Sequence, residues 1–255
     1  MSFSKKCAVI TGGSGGIGWA IAEGLLAQGA YVALIDLKEP STDLDRFQGR
    51  ALFYKGDVSD PDFIAKTFED LAKAFGRLDH LVNAAGVLWF DRDRSLAEID
   101  LETWDRVMEI NLKSVVSVTR HAVELMQRTA NAKPESGGSM VHIASVQAIR
   151  GDSVPQDAYQ ASKAGMIALS KSLAIQFAGK QIRSNALLPG GTLSAMQQRW
   201  YDDPDMLQRA AEAIPLGRVG KVEDMANAAL FLLSEKASFI TGIELIVDGG
   251  RTALP

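Results

Sequence analysis

The stretch Lys6-Cys-Ala-Val-Ile-Thr-Gly-Gly-Ser-Gly-Gly-Ile-Gly18 decides how the rest of the chain is read. A short apolar, β-branched run up to Thr11 reads as a strand. Thr11–Gly18 is a glycine-rich turn, and a helical pattern follows from Gly16 to Gln28. Strand, glycine loop and helix in that order are the context a dinucleotide fingerprint requires. Glycines there permit a tight turn and close approach of the backbone to a pyrophosphate, whose charge sits at the helix N-terminus. Two registers fit: Gly13, Gly15 and Gly18 as G-x-G-x-x-G, or Gly12, Gly16 and Gly18 as T-G-x-x-x-G-x-G. The loop by itself does not choose between them.

Outward from the loop, short β-branched runs alternate with longer helical patterns. Strands are expected at Lys6–Thr11, Tyr31–Asp36, Ala51–Gly56, Leu78–Ala84, Ser139–Ser145, Ile182–Leu188 and Gly242–Val247. Nearly continuous apolar character suits parallel strands covered on both faces. Helices are expected at about Gly16–Gln28, Asp60–Phe75, Leu101–Arg128, Gln156–Ala178 and Val222–Leu233. Such alternation predicts an α/β fold, a doubly wound parallel sheet of seven strands with helices on both faces. The linker-like stretch Asn131–Gly138 is too short to separate domains, so residues 1–255 read as one domain.

Composition agrees with a globular chain. It has 255 residues, 47% hydrophobic and 23% charged, unlike a disordered segment. Net charge −4 and pI near 5.5 argue against a nucleic-acid partner, which usually meets a basic excess. A single cysteine, Cys7, excludes an internal disulfide framework and a cysteine-cluster metal site. No run approaches the roughly 20 apolar residues of a membrane span, and the apolar run before Gly12 is too short for a secretory signal. The expectation is a cytoplasmic protein with no membrane partner.

Asp36 stands 18 residues past Gly18, at the end of the second strand. A carboxylate there accepts hydrogen bonds from the adenosine ribose and repels a 2′-phosphate. Gly15 puts no basic side chain in the loop to offset that repulsion, so NAD is expected over NADP. Tyr159 and Lys163 are four apart and share a helix face. An ammonium beside a phenol lowers its pKa, making the tyrosine a proton carrier. Ser145 ends the fifth strand, where ligands of such sheets bind. Asn111 lies on the apolar stripe of Trp104, Val107, Val115, Val118 and Ala122. A buried amide there needs a partner.

Together, Thr11–Gly18, Asp36, Asp57-Val58, Asn83-Ala-Ala-Gly86, Asn111, Ser145, Tyr159-x-x-x-Lys163, Pro189-Gly190 and Asp248-Gly-Gly250 resemble the short-chain dehydrogenase/reductase family in its compact, single-domain, Rossmann-type subtype. The resemblance runs from Lys6 to Gly250 and favours the Gly12, Gly16, Gly18 register. It implies hydride transfer between NAD(H) and a secondary alcohol or ketone. Tyr159 would be the general acid/base, and Lys163 would hold the nicotinamide ribose and depress the tyrosine pKa. Ser145 would bond the reacting oxygen, and Asn111 would anchor a proton-relay water. Ile17 would lend loop backbone, Asp57 and Val58 would read the adenine, and Asn83 and Gly86 would line the adenosine ribose side. Thr192, after Pro189-Gly190, would meet the carboxamide. Ala84 departs from the family's second asparagine, and Thr192 replaces its usual hydrophobic residue. The alternatives are a catalytically silent NAD(H)-binding regulator and an NADPH-dependent 3-oxoacyl thioester reductase.

The long connection 193–214 carries Met196, Trp200, Tyr201, Met206 and Leu207, a candidate lid over the substrate. Trp89, Phe90, Gln147 and Val154 are further substrate-side candidates. Arg92, Arg94 and Arg150 read as solvated charges, with an anionic substrate as the alternative. His80, His121 and His142 lack metal-ligand spacing and read as structural, with His142 on the face opposite Ser145. Small residues Ala161, Gly165, Ala168 and Ser172 share a helix face. Family members pair this helix and Leu101–Arg128 across subunits, so a homotetramer is expected.

Overall fold

The computed structural model describes residues 2–132 and 137–255. Residues 133–136, within the linker-like stretch, lie outside the described residues. Seven parallel strands form the main sheet: β1 (Cys7–Thr11), β2 (Tyr31–Asp36), β3 (Ala51–Lys55), β4 (His80–Asn83), β5 (Ser139–Ile143), β6 (Arg183–Pro189) and β7 (Glu244–Val247). Their order is β3-β2-β1-β4-β5-β6-β7. In register, Val9 of β1 lies between Ala33 of β2 and Leu81 of β4. Order reverses at β1, so a crevice opens beyond the carboxyl ends of β1 and β4. A separate two-stranded ladder pairs Thr192–Leu193 with Gly220–Lys221.

The helices are α1 (Gly16–Ala27), α2 (Pro61–Phe75), α3 (Leu101–Met108), α4 (Ser114–Ala132), α5 (Asp157–Phe177), α6 (Gln198–Asp202), α7 (Pro204–Glu212) and α8 (Val222–Leu233). One layer packs α1 and α8 on the sheet through Ile21, Leu25, Ala229 and Leu232. The other brings α2, α4 and α5 to the opposite face through Ile64, Leu71, Val118, Met126 and Leu173. The inner strands β1, β4 and β5, between two apolar layers, are buried on both faces, which explains their nearly unbroken hydrophobic runs. Helix starts follow local chemistry. Asp60 accepts from the amides of Asp62 and Phe63, with Pro61 in the first turn, and Gly76 closes α2 at φ +65°, a left-handed position that glycine adopts without penalty.

The segment expected as one helix, Leu101–Arg128, is two helices joined by a π-helical turn at Glu109–Lys113. The cause is Asn111, buried in that turn. Its Oδ1 accepts from the Val87 amide at 2.8 Å, and its Nδ2 donates to the Val87 carbonyl at 3.0 Å. Pairing with a distant loop satisfies the amide that an apolar stripe would have stranded.

Candidate active site

A cleft of about 660 Å³ runs along the carboxyl ends of the strands. At one end Asp36 closes β2. Its Oδ2 accepts from the Ser14 amide at 3.0 Å and its Oδ1 from the Lys38 backbone amide at 3.1 Å. The β1–α1 loop forms the floor with Gly12, Gly16, Ile17 and Gly18. Gly12 and Gly16 have φ of +65° and +53°, and a side chain on Gly18 would strike the Gly12 carbonyl at 2.1 Å. These are the glycines of the second register, and Gly13 is not in the wall.

Asp57 and Val58, past β3, line the same end. Burial pushes the Asp57 carboxyl up, but the Ser59 hydroxyl and amide and the Arg106 guanidinium, 2.7 Å away, together hold it below its ordinary value. Gly86 lines the middle, and a methyl there would lie 3.2 Å from Asn111 Oδ1 and 3.3 Å from Lys163 Nζ. The Asn83 side chain corrects an expectation. It is buried away from the cleft, its amide nitrogen donating to Thr119 Oγ1 and meeting His142 Nδ1, each at 3.1 Å. Strand alternation turns it beneath the sheet. Beside it, Thr11 Oγ1 accepts from the amides of Ala84 and Ala85, tying the loop down where Ala84 lacks a polar side chain.

Ser145, Tyr159 and Lys163 meet at the far side, with Pro189, Gly190 and Thr192 from the end of β6. Ser145 Oγ accepts from the Gln147 amide at 3.1 Å. Lys163 Nζ donates to the Ile143 carbonyl at 2.8 Å and lies 5.6 Å from the Tyr159 ring centre. Asn111 stands behind this group, bonded to Ser162 Oγ at 3.2 Å.

The family model described as enoyl-(acyl carrier protein) reductase matches residues 12–252. A 3-oxoacyl-[acyl-carrier-protein] reductase of Thermotoga maritima is 36% identical, covering 98% of this chain and 99% of its own. The chain belongs to the short-chain dehydrogenase/reductase family. An NAD-dependent glycerol dehydrogenase of Listeria innocua is 34% identical over 98% of this chain and 95% of its own. The solved structure of Thermoplasma acidophilum aldohexose dehydrogenase superposes with TM-score 0.89, 29% identity, 99% of this chain and 96% of that one. Members of the family bind a nicotinamide cofactor, and this chain is an oxidoreductase acting on CH–OH groups, moving hydride between cofactor and an alcohol or ketone.

The residues present fit such a cofactor. No side chain caps α1 and its first turn holds no acid, so its leading N–H groups are left for a ligand anion. A side chain at Gly15 would meet nothing within 4 Å, so the space above the loop is open. Burial raises the Tyr159 pKa above its ordinary value and the Ser145 hydroxyl draws it partly back. That corrects the expectation that Lys163 makes the phenol acidic: burial is the larger effect here. Burial also brings Lys163 down to about 8.

Of the substrate-side candidates, Trp89, Phe90, Gln147, Val154, Met196 and Trp200 line the cleft, while Tyr201, Met206 and Leu207 do not. Arg92 stacks on Trp89 at 4.1 Å, Arg94 binds the Asp91 carbonyl, and Arg150 lies outside the cleft wall. His142 Nε2 meets Ser184 Oγ at 3.1 Å, and His121 stacks on Phe68. No group of residues suited to a metal occurs among the described residues. Likewise, no helix among them is long and apolar enough to cross a membrane. Among the residues that escaped the sequence reading are Arg199 in the cleft wall, and Asp93, which accepts from the amides of Ala158 and Tyr159. Both act on partners far away in sequence, so no local pattern marks them.

Proposed function

We propose that the protein is an NAD-dependent dehydrogenase of secondary alcohols, with Tyr159 as general acid/base. A bound nicotinamide supplies the site that takes or gives the hydride. In this reading Tyr159 Oη takes the hydroxyl proton during oxidation and returns it during reduction. Ser145 Oγ orients the reacting oxygen, and its hydroxyl favours the phenolate. Lys163 holds the nicotinamide ribose, and Asn111 fixes the loop at Val87 and anchors a relay water. Gly12, Gly16, Ile17 and Gly18 carry the pyrophosphate. Asp57, Val58 and Gly86 flank the adenosine half, and Pro189, Gly190 and Thr192 flank the carboxamide. Residues 193–214 form the lid of the one domain, 1–255. Assembly as a homotetramer is supported by exposed apolar side chains on α3, α4 and α5, among them Leu101, Val116 and Ile175.

The observation that carries the cofactor choice is Asp36. Its carboxylate lines the cleft and is bonded to the glycine loop through Ser14, with Gly15 bare beside it. A 2′-phosphate there would face a fixed negative charge with no loop cation. Fluorescence titration should find NADH bound at least ~10-fold more tightly than NADPH, and Asp36→Ala should erase most of that gap. Equal affinities in the wild type would overturn the choice. The name of the Thermotoga relative favours a second reading, a 3-oxoacyl thioester reductase. The same titration weighs against it if NADH wins.

A further inference from the structure

We infer that the alcohol or ketone carries a carboxylate on an otherwise apolar skeleton, and that Arg199 reads that carboxylate; this rests on the dehydrogenase reading above. Beyond Ser145 and Tyr159, Trp89, Phe90, Met196 and Trp200 give the cleft wall an apolar stretch beside the polar Gln147, Asp152, Gln156 and Gln197. Arg199 is set into it. Its guanidinium carbon lies 3.8 Å from the Phe90 ring centre and 5.9 Å from that of Trp200. Trp200 is buried against Gly191, where a side chain would come within 2.9 Å of the indole. The turn carrying Arg199 is therefore anchored.

Arg199 is under-used. Its Nε donates to Gln197 Oε1 at 3.0 Å. Its terminal nitrogens make no hydrogen bond, and no carboxylate reaches ion-pair distance, among the described residues. Asp152, in the same wall, is engaged by Gln147 Nε2 at 2.8 Å and the Val154 amide at 3.2 Å. The other cations near the cleft are committed or distant. Arg106 pairs with Asp57 and Glu109, Lys163 bonds Ile143, and Lys38 is exposed beside Asp36. Burial lowers the Arg199 pKa, with the nearby Asp152 charge partly opposing, yet a guanidinium stays charged. Stacking on an aromatic face offsets part of that desolvation. A fork of free donors over an apolar wall matches a carboxylate bidentately.

A second unspent donor lies in the same wall. Asp152 accepts only, so it fixes the Gln147 amide nitrogen toward it. That nitrogen also donates to Gln156 Oε1 at 3.1 Å, which leaves Gln156 Nε2 as a buried donor without a partner among the described residues. Gln156 also lines the cleft. Gln156 Nε2 is itself screened from the cleft, so it is the unspent fork of Arg199 that favours an acceptor-rich anion over a neutral skeleton.

The test uses the full chain with NAD and a panel of linear and cyclic hydroxy acids, the carboxylate one to five carbons from the carbinol. Each is run beside its methyl ester and the unsubstituted alcohol. At least one acid should exceed its ester in kcat/KM by about 10-fold or more, chiefly through KM, as a charge-assisted hydrogen bond requires. Arg199→Met should cut that acid-to-ester ratio by about 10- to 100-fold, and Arg199→Lys should restore part of it. The inference is overturned if neutral alcohols are used as well as acids, or if the preference survives Arg199→Met. Neutral alcohols accepted with acids refused would leave the dehydrogenase standing and remove Arg199 from recognition. No turnover of any alcohol, with NADH still bound, would remove both.

Discussion

Tyr159 sits almost out of solvent in the cleft wall, and what surrounds it sets its proton affinity. Burial raises its pKa and Ser145 counteracts, while Lys163 is committed to a carbonyl. The phenol is therefore a protonated donor until something in the cleft favours its anion. Replacing it with phenylalanine removes the only proton carried at that point and leaves the ring packing. Tyr159→Phe should lower turnover by about 10²–10⁴-fold, with NADH affinity by fluorescence unchanged. Turnover near wild type would exclude the hydroxyl from the reaction. At this scale Asp36, Ser145, Tyr159 and Lys163 were legible in the sequence, because each stands at a strand end or at helical spacing from a partner. The side-chain direction of Asn83 was not, since a residue closing a strand faces either the crevice or the core. Arg199 was not legible either, since Phe90 reaches it only through the fold.

The elements hold these residues by contacts that cross between them. The start of α5 has no cap of its own. Asp93, from the loop after β4, supplies one: it accepts from the Ala158 amide at 3.1 Å and the Tyr159 amide at 2.9 Å. Burial raises its pKa, the two amides opposing. This carboxylate fixes the turn that aims the phenol and meets the positive end of the helix dipole. Asp93→Ala should cost about 1–3 kcal/mol in urea unfolding and lower kcat more than it raises KM. Asp93→Asn keeps one acceptor and should recover part of both. An unfolding midpoint and a kcat equal to wild type would show that α5 holds its start unaided. The π-turn belongs to this scale too. Periodicity marked an unbroken helix from Leu101, because the apolar stripe continues through Asn111. The pairing that opens the turn lies in the loop at Val87, which no period of 3.6 reports.

For the whole molecule, the alternation of strands and helices made the seven-stranded parallel sheet readable, since parallel strands need crossovers and crossovers have one hand. The polar interior of that sheet was less readable. His80 on β4 and His142 on β5 are both buried at its centre, and each has its pKa brought down to about 4 by burial. His142 is bonded on both nitrogens. His80 meets no hydrogen-bond partner among the described residues and packs edge-on to Phe3 at 5.4 Å. In the unfolded chain an imidazole takes its proton near pH 6.5, and in the fold it does so only near pH 4. Between those values the unfolded state binds more protons, so stability falls as pH falls through that window and is unaffected above it. Each histidine contributes a loss of about 3 kcal/mol across the window. His80→Leu removes one of the two and leaves no hydrogen bond broken. At pH 7.5 it should unfold at no lower urea concentration than wild type. Between pH 6.5 and 4 the gap in its favour should widen by about 3 kcal/mol. Parallel stability curves for the two proteins would mean that His80 reaches solvent and takes its proton without unfolding.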